Sequence, residues 1–506
     1  MNIPIIKDMT KDELRRAVSM WGIAMCVFAA AVGWVFMRFG MAWSIGDLPP
    51  SDFVNQIVPA YVVTEVALIP VGAKLIDRFG CKPVMALGAA IYIISSMLCM
   101  LATSVGMLVV FRLLQGTGAG LILGMAFSSV AKFYSPTDRG KCNELMTGAF
   151  AIASLFGTAM GYFLTDNINW RVGFAVFSGV MMIGLIVAWR FLPEERNTDG
   201  KIDIIDMALA VMVFGSATAY TQMVNVVFDL ISLPSLWFAI AIIAMMALFA
   251  YRSYHCDGPT MPTHTTVFMK THIILMFMFS LCGLGLITYF FKVYLTYYEF
   301  NIYKASTMFL FMLAGAAITS MIGGRLVFKT GARPWIIGGS CIVTIGLLLT
   351  HQIADKGIPL MALSLFVFGF GLGCIVTEIL CSYQSVMLYE DIGRHTGNLM
   401  AVRMVGIMTG SAIIGAYIDQ FMEKGRSMTV IDLGSTDNFI TALTETITEG
   451  LEYVAESLDG GFLTVTIILA MATTALTAIA HNLKRDDVEA LDAYRAESEG
   501  EEKDEE

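Results

Sequence analysis

The chain has 506 residues, 57% of them hydrophobic and only 15% charged, with a mean hydropathy of +0.70. Soluble domains carry roughly a quarter charged residues and need polar surface to match, so a soluble multidomain enzyme is excluded. The formal charge of −10 is mostly local, because residues 486–506 hold 11 acids against Arg495 and Lys503; such a run is a solvated tail, and with no basic stripe elsewhere nucleic acid is excluded as a partner.

Apolar stretches of about 17–25 residues are long enough to cross a hydrocarbon core of roughly 30 Å. In chain order they fall at 19–37, 53–75, 83–101, 105–130, 143–164, 172–191, 204–226, 235–251, 272–295, 305–328, 335–350, 359–381, 398–421 and 462–480, fourteen in all. Each is expected to be helical, since lipid offers no partner for backbone N–H and C=O groups. The first follows Lys7, Lys11, Arg15 and Arg16 as a signal peptide would, but it is too long and is read as retained. With both ends cytoplasmic, the inner segments hold 23 of the 32 Lys and Arg and the outer segments seven, the asymmetry expected of a multi-pass protein of the cytoplasmic (plasma) membrane. The lipid bilayer is thus one partner. The nine Cys include no CxxC and mostly sit in apolar runs, so neither a metal site nor a cofactor is indicated.

Glu65, about twelve residues into span two, is the deepest acid of the first six spans. Desolvation there favours the neutral acid, and a nearby Arg would favour the carboxylate. The stretch Ala73-Lys74-Leu75-Ile76-Asp77-Arg78-Phe79-Gly80-Cys81-Lys82 follows as a loop. A basic loop obeying the charge asymmetry accounts for Arg78 and Lys82, but not for Asp77 with Gly80. Asp77 at a helix end can meet a helix N-terminus or an Arg of the other half, Gly80 makes the tight turn, and the set reads as a conformational latch.

Span four carries Arg112, Gln115, Gly116, Gly118 and Gly120. No strand precedes the glycines, so a dinucleotide loop is excluded and a helix-packing groove is expected. Arg112 lies roughly 10 Å below the outer surface at 1.5 Å per residue. It either snorkels outward or faces protein or a wet cavity, because burying it in lipid costs at least about 2.5 kcal/mol. Depth alone permits contact with Glu65, either as a proton-coupling pair or as a static one. Gly157 and Gly161 are small residues for packing in span five, and Trp170 with Arg171 opens span six as interfacial anchors. Glu378 and Arg403 fall near the cytoplasmic ends of spans twelve and thirteen and are expected to form a structural ion pair.

The chain also repeats. Residues 73–83 resemble 324–334 at an offset of 251, GTGAG (116–120) resembles GFGLG (369–373) at 253, and Asp138 matches Asp391 at 253. Spans one to six and nine to fourteen are therefore read as two six-helix halves in parallel orientation, around a midplane cavity, with two helices inserted between them. The expected organisation is a cytoplasmic N-terminus (1–18), a first half (19–192), the inserted pair (193–253), a cytoplasmic linker (254–271), a second half (272–482) and a disordered acidic tail (483–506). Phe328 stands where the second copy of the latch would carry its Asp, so any latch is asymmetric.

The 73–82 loop resembles the signature loop of the major facilitator superfamily, with Ala73 for its first Gly and Cys81 for an Arg. Arg112 to Gly120 resembles the superfamily's span-four motif of proton-coupled exporters, and residues 157–162 match its antiporter motif only at Gly157 and Gly161. With fourteen spans and the 169–174 entry, residues 15–482 resemble the 14-helix drug:proton antiporter subfamily, although span one lacks the acid that group often carries. The resemblance implies an all-α integral membrane protein of the major facilitator fold. It further implies a monomeric secondary transporter, not an enzyme, exporting small amphipathic molecules in exchange for protons by rocking of the halves. A transporter of one specific metabolite on the same fold, or a non-transporting receptor or scaffold, are the alternatives.

Overall fold

The computed structural model describes residues 11–192 apart from 52 and 135, then 201–223, 232–261, 267–281, 311–353 with breaks between 313 and 329, 358–385 and 392–431. Most of the described residues are helical, with no strand among them. The long elements are α1 (Lys11–Asp47), α2 (Ile57–Phe79), α3 (Cys81–Met100), α4 (Val105–Phe133), α5 (Pro136–Asn167) and α6 (Trp170–Phe191). They continue with α7 (Ile204–Met223), α8 (Leu233–His255), α9 (Val267–Phe279), α10 (Ala332–Ile353), α11 (Ile358–Ser385) and α12 (Ile392–Ile431). Nine helical stretches among the described residues are long and apolar enough to cross a membrane. The expected last span, the tail and the stretch before that span lie outside the described residues.

Several helices outrun their apolar stretches. α5 begins at Pro136 and α12 at Ile392, each several residues before the apolar run. Bilayer thickness limits the apolar part of a helix and not the helix itself. The same effect corrects the expected loop at 73–82: α2 runs to Phe79 and α3 starts at Cys81, so only Gly80 separates them. Gly80 takes φ 81°, ψ 169° and still donates its N–H to the Ile76 carbonyl at 3.0 Å. A Cβ there would be strained.

Start signals are local. The Ser104 hydroxyl accepts from Met107 N–H, Asn169 from Arg171 N–H, and Ser232 from Ser235 N–H, each capping the helix that follows. Asp203 caps α7 by accepting from Asp206 N–H at 2.9 Å and is bridged by Arg252 of α8 at 2.5 Å. Arg171 does not serve as a membrane anchor alone. Its guanidinium donates to the carbonyls of Met100 and Ala102 at the end of α3, 2.9 and 2.7 Å away. Trp170, expected at the bilayer edge, is 1% exposed and packs edge-on against Phe174. This corrects the anchor reading, because the aromatic closes a protein interior.

α4 runs between α2 and α3, while α1 packs on α5 and α6, and α6 on α3. α12 lies against α2, α4 and α9, α11 against α5, α9 and α10, and α7 touches both α2 and α12 with α8 outside it. The large exposed apolar residues of α8 (Leu236, Trp237, Ile240, Ile243) are those expected to face lipid.

The sequence repeat has a structural counterpart. A Cβ added to Gly116 would strike the Tyr61 carbonyl, and one on Gly120 that of Glu65; on Gly369 and Gly373 it would strike those of Met312 and Ala316. Likewise Gly88 abuts Gly118, and Gly339 abuts Gly371. The same three-helix contact thus recurs at offsets of 251 on one side and 253 on the other. Gly124, against the Ile69 carbonyl, extends the first seam by one turn. Small residues at this spacing let two backbones meet where larger ones would hold them apart.

Candidate functional site

Two groups of polar residues stand out in an otherwise apolar bundle. The first surrounds Arg112, which is fully buried and not snorkelling. Its Nη1 donates to Gln115 Oε1 at 2.6 Å, its Nε to the Ile57 carbonyl at 3.4 Å, and its guanidinium lies 4.1 Å from the centre of the Tyr61 ring. Gln115 passes the network on, its Nε2 donating to Ser96 Oγ at 2.7 Å. Tyr61 and Tyr92 fix their rings by donating to the carbonyls of Ala30 and Ala29 on α1, at 2.6 and 2.7 Å. The guanidinium is therefore held by a hydrogen-bonded side chain, a carbonyl and an aromatic face. Nη2 has no hydrogen-bond partner among the described residues.

Glu65, one turn from Tyr61 on α2, is 3% exposed, and its Oε1 also lacks a hydrogen-bond partner among the described residues. The structure brings Glu65 and Arg112 onto neighbouring helices but does not join them as an ion pair within 4.0 Å. The repeat places Ala316 opposite Glu65 and Leu365 opposite Arg112, so this charge pattern exists in one copy only. Gln115 and Tyr61 as holders of the Arg were not foreseen as such. Gln115, three residues on and hence on the same helix face, was the available signal.

The second group lies at the end of the bundle that carries Asp77. Asp77 Oδ1 pairs with Lys132 Nζ of α4 at 2.6 Å, and Oδ2 lies 3.6 Å from Arg394 Nε on α12. It also sits beside the first turn of α12, where a Cβ on Gly393 would be 3.2 Å from Oδ1, so the helix dipole adds to the attraction. Ser128 of α4 donates to the Gly393 carbonyl at 2.8 Å. Ala73 is buried where α12 passes at Gly397, and a Cβ on Gly397 would collide with it. Arg78 and Phe79 are exposed and Lys82 is half-buried; Arg78 stacks 5.7 Å from the Phe79 ring centre and takes no part in the Asp77 contact.

A parallel seam joins α5 to α11. Arg139 Nη1 donates to the Gln384 carbonyl at 3.1 Å, and Asn143 Nδ2 to Gln384 Oε1 at 2.8 Å. Gln384 Nε2 donates in turn to Thr396 Oγ1 of α12 at 3.2 Å. Sequence reasoning noted Asn143 only as the start of span five and Arg139 only as the loop neighbour of Asp138, and missed Lys132 and Gln384, because nothing local marks a contact made across more than 50 residues. Asp391 and Phe328 lie outside the described residues, as does the side chain of Asp138.

Gly157 packs α5 onto α1, a Cβ there lying 3.1 Å from Val35 Cβ, and Gly161 is buried. The expected Glu378–Arg403 pair is corrected. Both are buried, but Glu378 turns toward Gly323 whereas Arg403 Nη1 reaches Met400 Sδ at 4.0 Å. Neither Glu378 oxygen has a hydrogen-bond partner among the described residues. No group of three or more metal-ligating side chains occurs among them either.

A family model described as Major Facilitator Superfamily matches residues 23–416. Among curated proteins, the chain is 26% identical over 426 residues to the Multidrug transporter protein MdtP of Bacillus subtilis (strain 168), covering 80% of this chain and 76% of that one. It is 27% identical over 474 residues to the MFS-type efflux pump LUC4 of a Fusarium species, covering 87% and 82%. Among solved structures it resembles the human organic anion transporter MFSD10, with TM-score 0.55 at 15% identity over 91% of this chain and all of that one. It also resembles the proton:xylose symporter XylE, with TM-score 0.56 at 13% identity over 87% and 94%. At these identities the structural likeness establishes the fold.

Proposed function

The chain belongs to the Major Facilitator Superfamily, a family of membrane transporters, and from that premise we propose that it exports small amphipathic compounds across the cytoplasmic membrane in exchange for protons. Names of relatives, a multidrug transporter and an efflux pump among them, support the substrate class. In this reading fourteen helices form two six-helix halves, 19–192 and 272–482, with 193–253 inserted between them. The protein works as a monomer with both termini in the cytoplasm, and the Asp77 end faces inward.

The observation that carries the reading is the asymmetry between the two polar groups. At the Asp77 end, α2, α4 and α5 are tied to α11 and α12 by ionic and amide contacts that can break and reform. Deep in the first half, Arg112 and Glu65 are buried near one another, each with an atom that has no hydrogen-bond partner among the described residues. Rocking of the halves opens the first group. The second supplies coupling, as a competition for Glu65 between a proton and the guanidinium. In the closed arrangement Gln115 and Tyr61 hold Arg112, which leaves Glu65 to the proton; a shift of α4 against α2 would let the two meet and expel it.

The test is flux in proteoliposomes with an imposed pH gradient, using tetraphenylphosphonium and a set of neutral amphipathic dyes. Flux of at least one probe that reverses with the gradient is expected. Indifference of every transported probe to the gradient would overturn proton exchange, and strict selection of one compound would favour the specific-metabolite alternative. Glu65→Gln is expected to abolish probe-induced proton release from purified protein. Unchanged release in that variant would remove Glu65 from the coupling step.

A further inference from the structure

Glu378 is fully buried on α11, one turn deeper than Cys381 and two turns deeper than the end of the helix. A carboxylate without hydrogen bonds in such a place is strongly disfavoured, and native proteins rarely keep one unless it has a task. Room has been made for this one. One of its oxygens occupies the place a Cβ would take on Gly323, so only glycine lets the carboxyl lie there. Among the described residues, no polar side chain of the surrounding helices hydrogen-bonds it. On the facing helical stretch Ser320 donates to the Gly373 carbonyl and accepts from Thr377 at 3.1 Å. His272 of α9 meets Ser382, and His395 of α12 meets Tyr383, both beyond Cys381 toward the helix end. Arg403 of α12 rests on Met400, and Trp335 of α10 comes near Gly323 with its ring. Among the described residues, the thiols of Cys374 and Cys381 on α11 itself and Arg139 and Glu144 of α5, near Cys381, are the other titratable groups at hand.

Beyond Glu378 toward the Asp77 end, at Cys381 and Gln384, lies the α5–α11 seam. Asn143 Nδ2 lies 4.0 Å from Cys381 Sγ and 2.8 Å from Gln384 Oε1, and Arg139 Nη1 3.1 Å from the Gln384 carbonyl. We propose that Glu378 is a second proton-binding carboxyl, in the other half from Glu65, sealed by Asn143 and Gln384 and opened to the cytoplasm when that seam parts. The assignment rests on the proton-exchange reading for its use, but the binding itself does not. In the sealed state the carboxyl holds its proton. When α5 leaves α11, water enters beside Cys381, the O–H bond breaks, the proton passes to cytoplasmic water and the carboxylate stays solvated until the seam closes. The repeat sets Met125 at the corresponding place in the first half, so each half would carry one acid at a different depth.

Dicyclohexylcarbodiimide tests this without knowledge of the substrate, because it adds to protonated carboxyls in apolar surroundings. On the full chain in detergent, mapped by peptide mass, Glu378 is expected to be labelled at neutral pH. Labelling should fall at least fivefold as pH is raised in Asn143→Ala, where the seam is weakened, and less in the parent protein. Absence of label at Glu378, or labelling with the same pH dependence in both proteins, would overturn the proposal. In proteoliposomes carrying tetraphenylphosphonium, Glu378→Gln is expected to move fewer protons per probe molecule, with Glu378→Asp restoring the count. An unchanged count in Glu378→Gln would overturn the proposal while leaving exchange intact, whereas loss of gradient dependence in the parent protein would overturn exchange and leave the labelling result to decide Glu378.

Discussion

At the scale of single residues, space and hydrogen bonds decide more than residue type. Gly120 and Gly106 are both helical glycines of α4, yet a Cβ on Gly120 would strike the Glu65 carbonyl while one on Gly106 would meet nothing within 4 Å. Gly120→Ala is therefore expected to push α2 from α4 and lower stability by about 1–3 kcal/mol, with Gly106→Ala neutral or slightly stabilising. Thermal unfolding in detergent checks both, and equal midpoints would refute the packing argument. Gln115→Leu strands Arg112 Nη1, for which about 1–3 kcal/mol is the usual penalty of a buried group left unmade, whereas Ser96 Oγ keeps its bond to the Tyr92 carbonyl at 2.7 Å. Its yield and unfolding midpoint should drop more than those of Thr117→Val, whose exposed hydroxyl only bonds back to the Leu113 carbonyl. The depth of Arg112 and Glu65 was legible from the position of charges in apolar runs. Whether they touch was not, because a half-turn of either helix changes the answer and leaves the pattern of the sequence unaltered.

Among elements, the inserted pair α7–α8 has a definite junction with the rest. Asp206 of α7 is fully buried and accepts from Ser253 Oγ at 2.6 Å and Thr260 N–H at 2.5 Å. The segment it holds is read by α12, whose Asn398 donates to the Thr260 carbonyl at 2.9 Å and Arg394 to the Pro259 carbonyl at 3.4 Å. Arg394 is the residue beside Asp77, so the segment after the inserted helices and the latch share one side chain. Cys256 reports on this junction. Burial first, and then the carboxylates of Asp206 and Asp203, push its thiol above the ordinary range. Asp206→Asn removes one of those charges and loosens the segment, so both changes favour thiolate. Alkylation of Cys256 at fixed neutral pH, followed by peptide mass, should accelerate several-fold, and an unchanged rate would show that Asp206 does not hold the segment. Helix existence was readable here from hydropathy, and the repeat from two near-constant offsets. Asp206 was not singled out, since an acid at the start of a helix ordinarily reads as a solvated favourable charge.

For the whole molecule, the contacts at the Asp77 end determine which face is shut. Asp77→Asn keeps the shape but loses the ionic attraction to Lys132 and Arg394, 2.6 and 3.6 Å away. It should raise the fraction opened on that side and slow probe flux several-fold with little loss of membrane insertion. Spin labels at exposed Arg78 of α2 and at a half-buried position of α12 would widen their distance distribution, and a distribution identical to that of the parent protein would exclude a latch role. Truncation at Asp486 removes −9 of the −10 charge and no apolar periodicity, so flux and stability are expected to be unchanged. Loss of flux in a truncated protein that still inserts would assign the tail a regulatory task.

By itself the sequence determined the environment, the helical class, the family and the repeat, and it singled out Glu65, Asp77, Arg112 and Glu378 as charges in or beside apolar runs, though not Lys132 or Asp206. These follow from one-dimensional facts: apolar length against bilayer thickness, charge counts, and spacing. Tertiary structure alone decided partnership. It turned the 73–82 loop into helix, drew Trp170 inside, gave Arg112 to Gln115, set Lys132 and Arg394 on Asp77, and left Glu378 apart from Arg403. In lipid the hydrophobic drive between helices is weak, so their rotations are set by close fit of small residues and by polar contacts between distant segments. Neither is written in the periodicity of any one span.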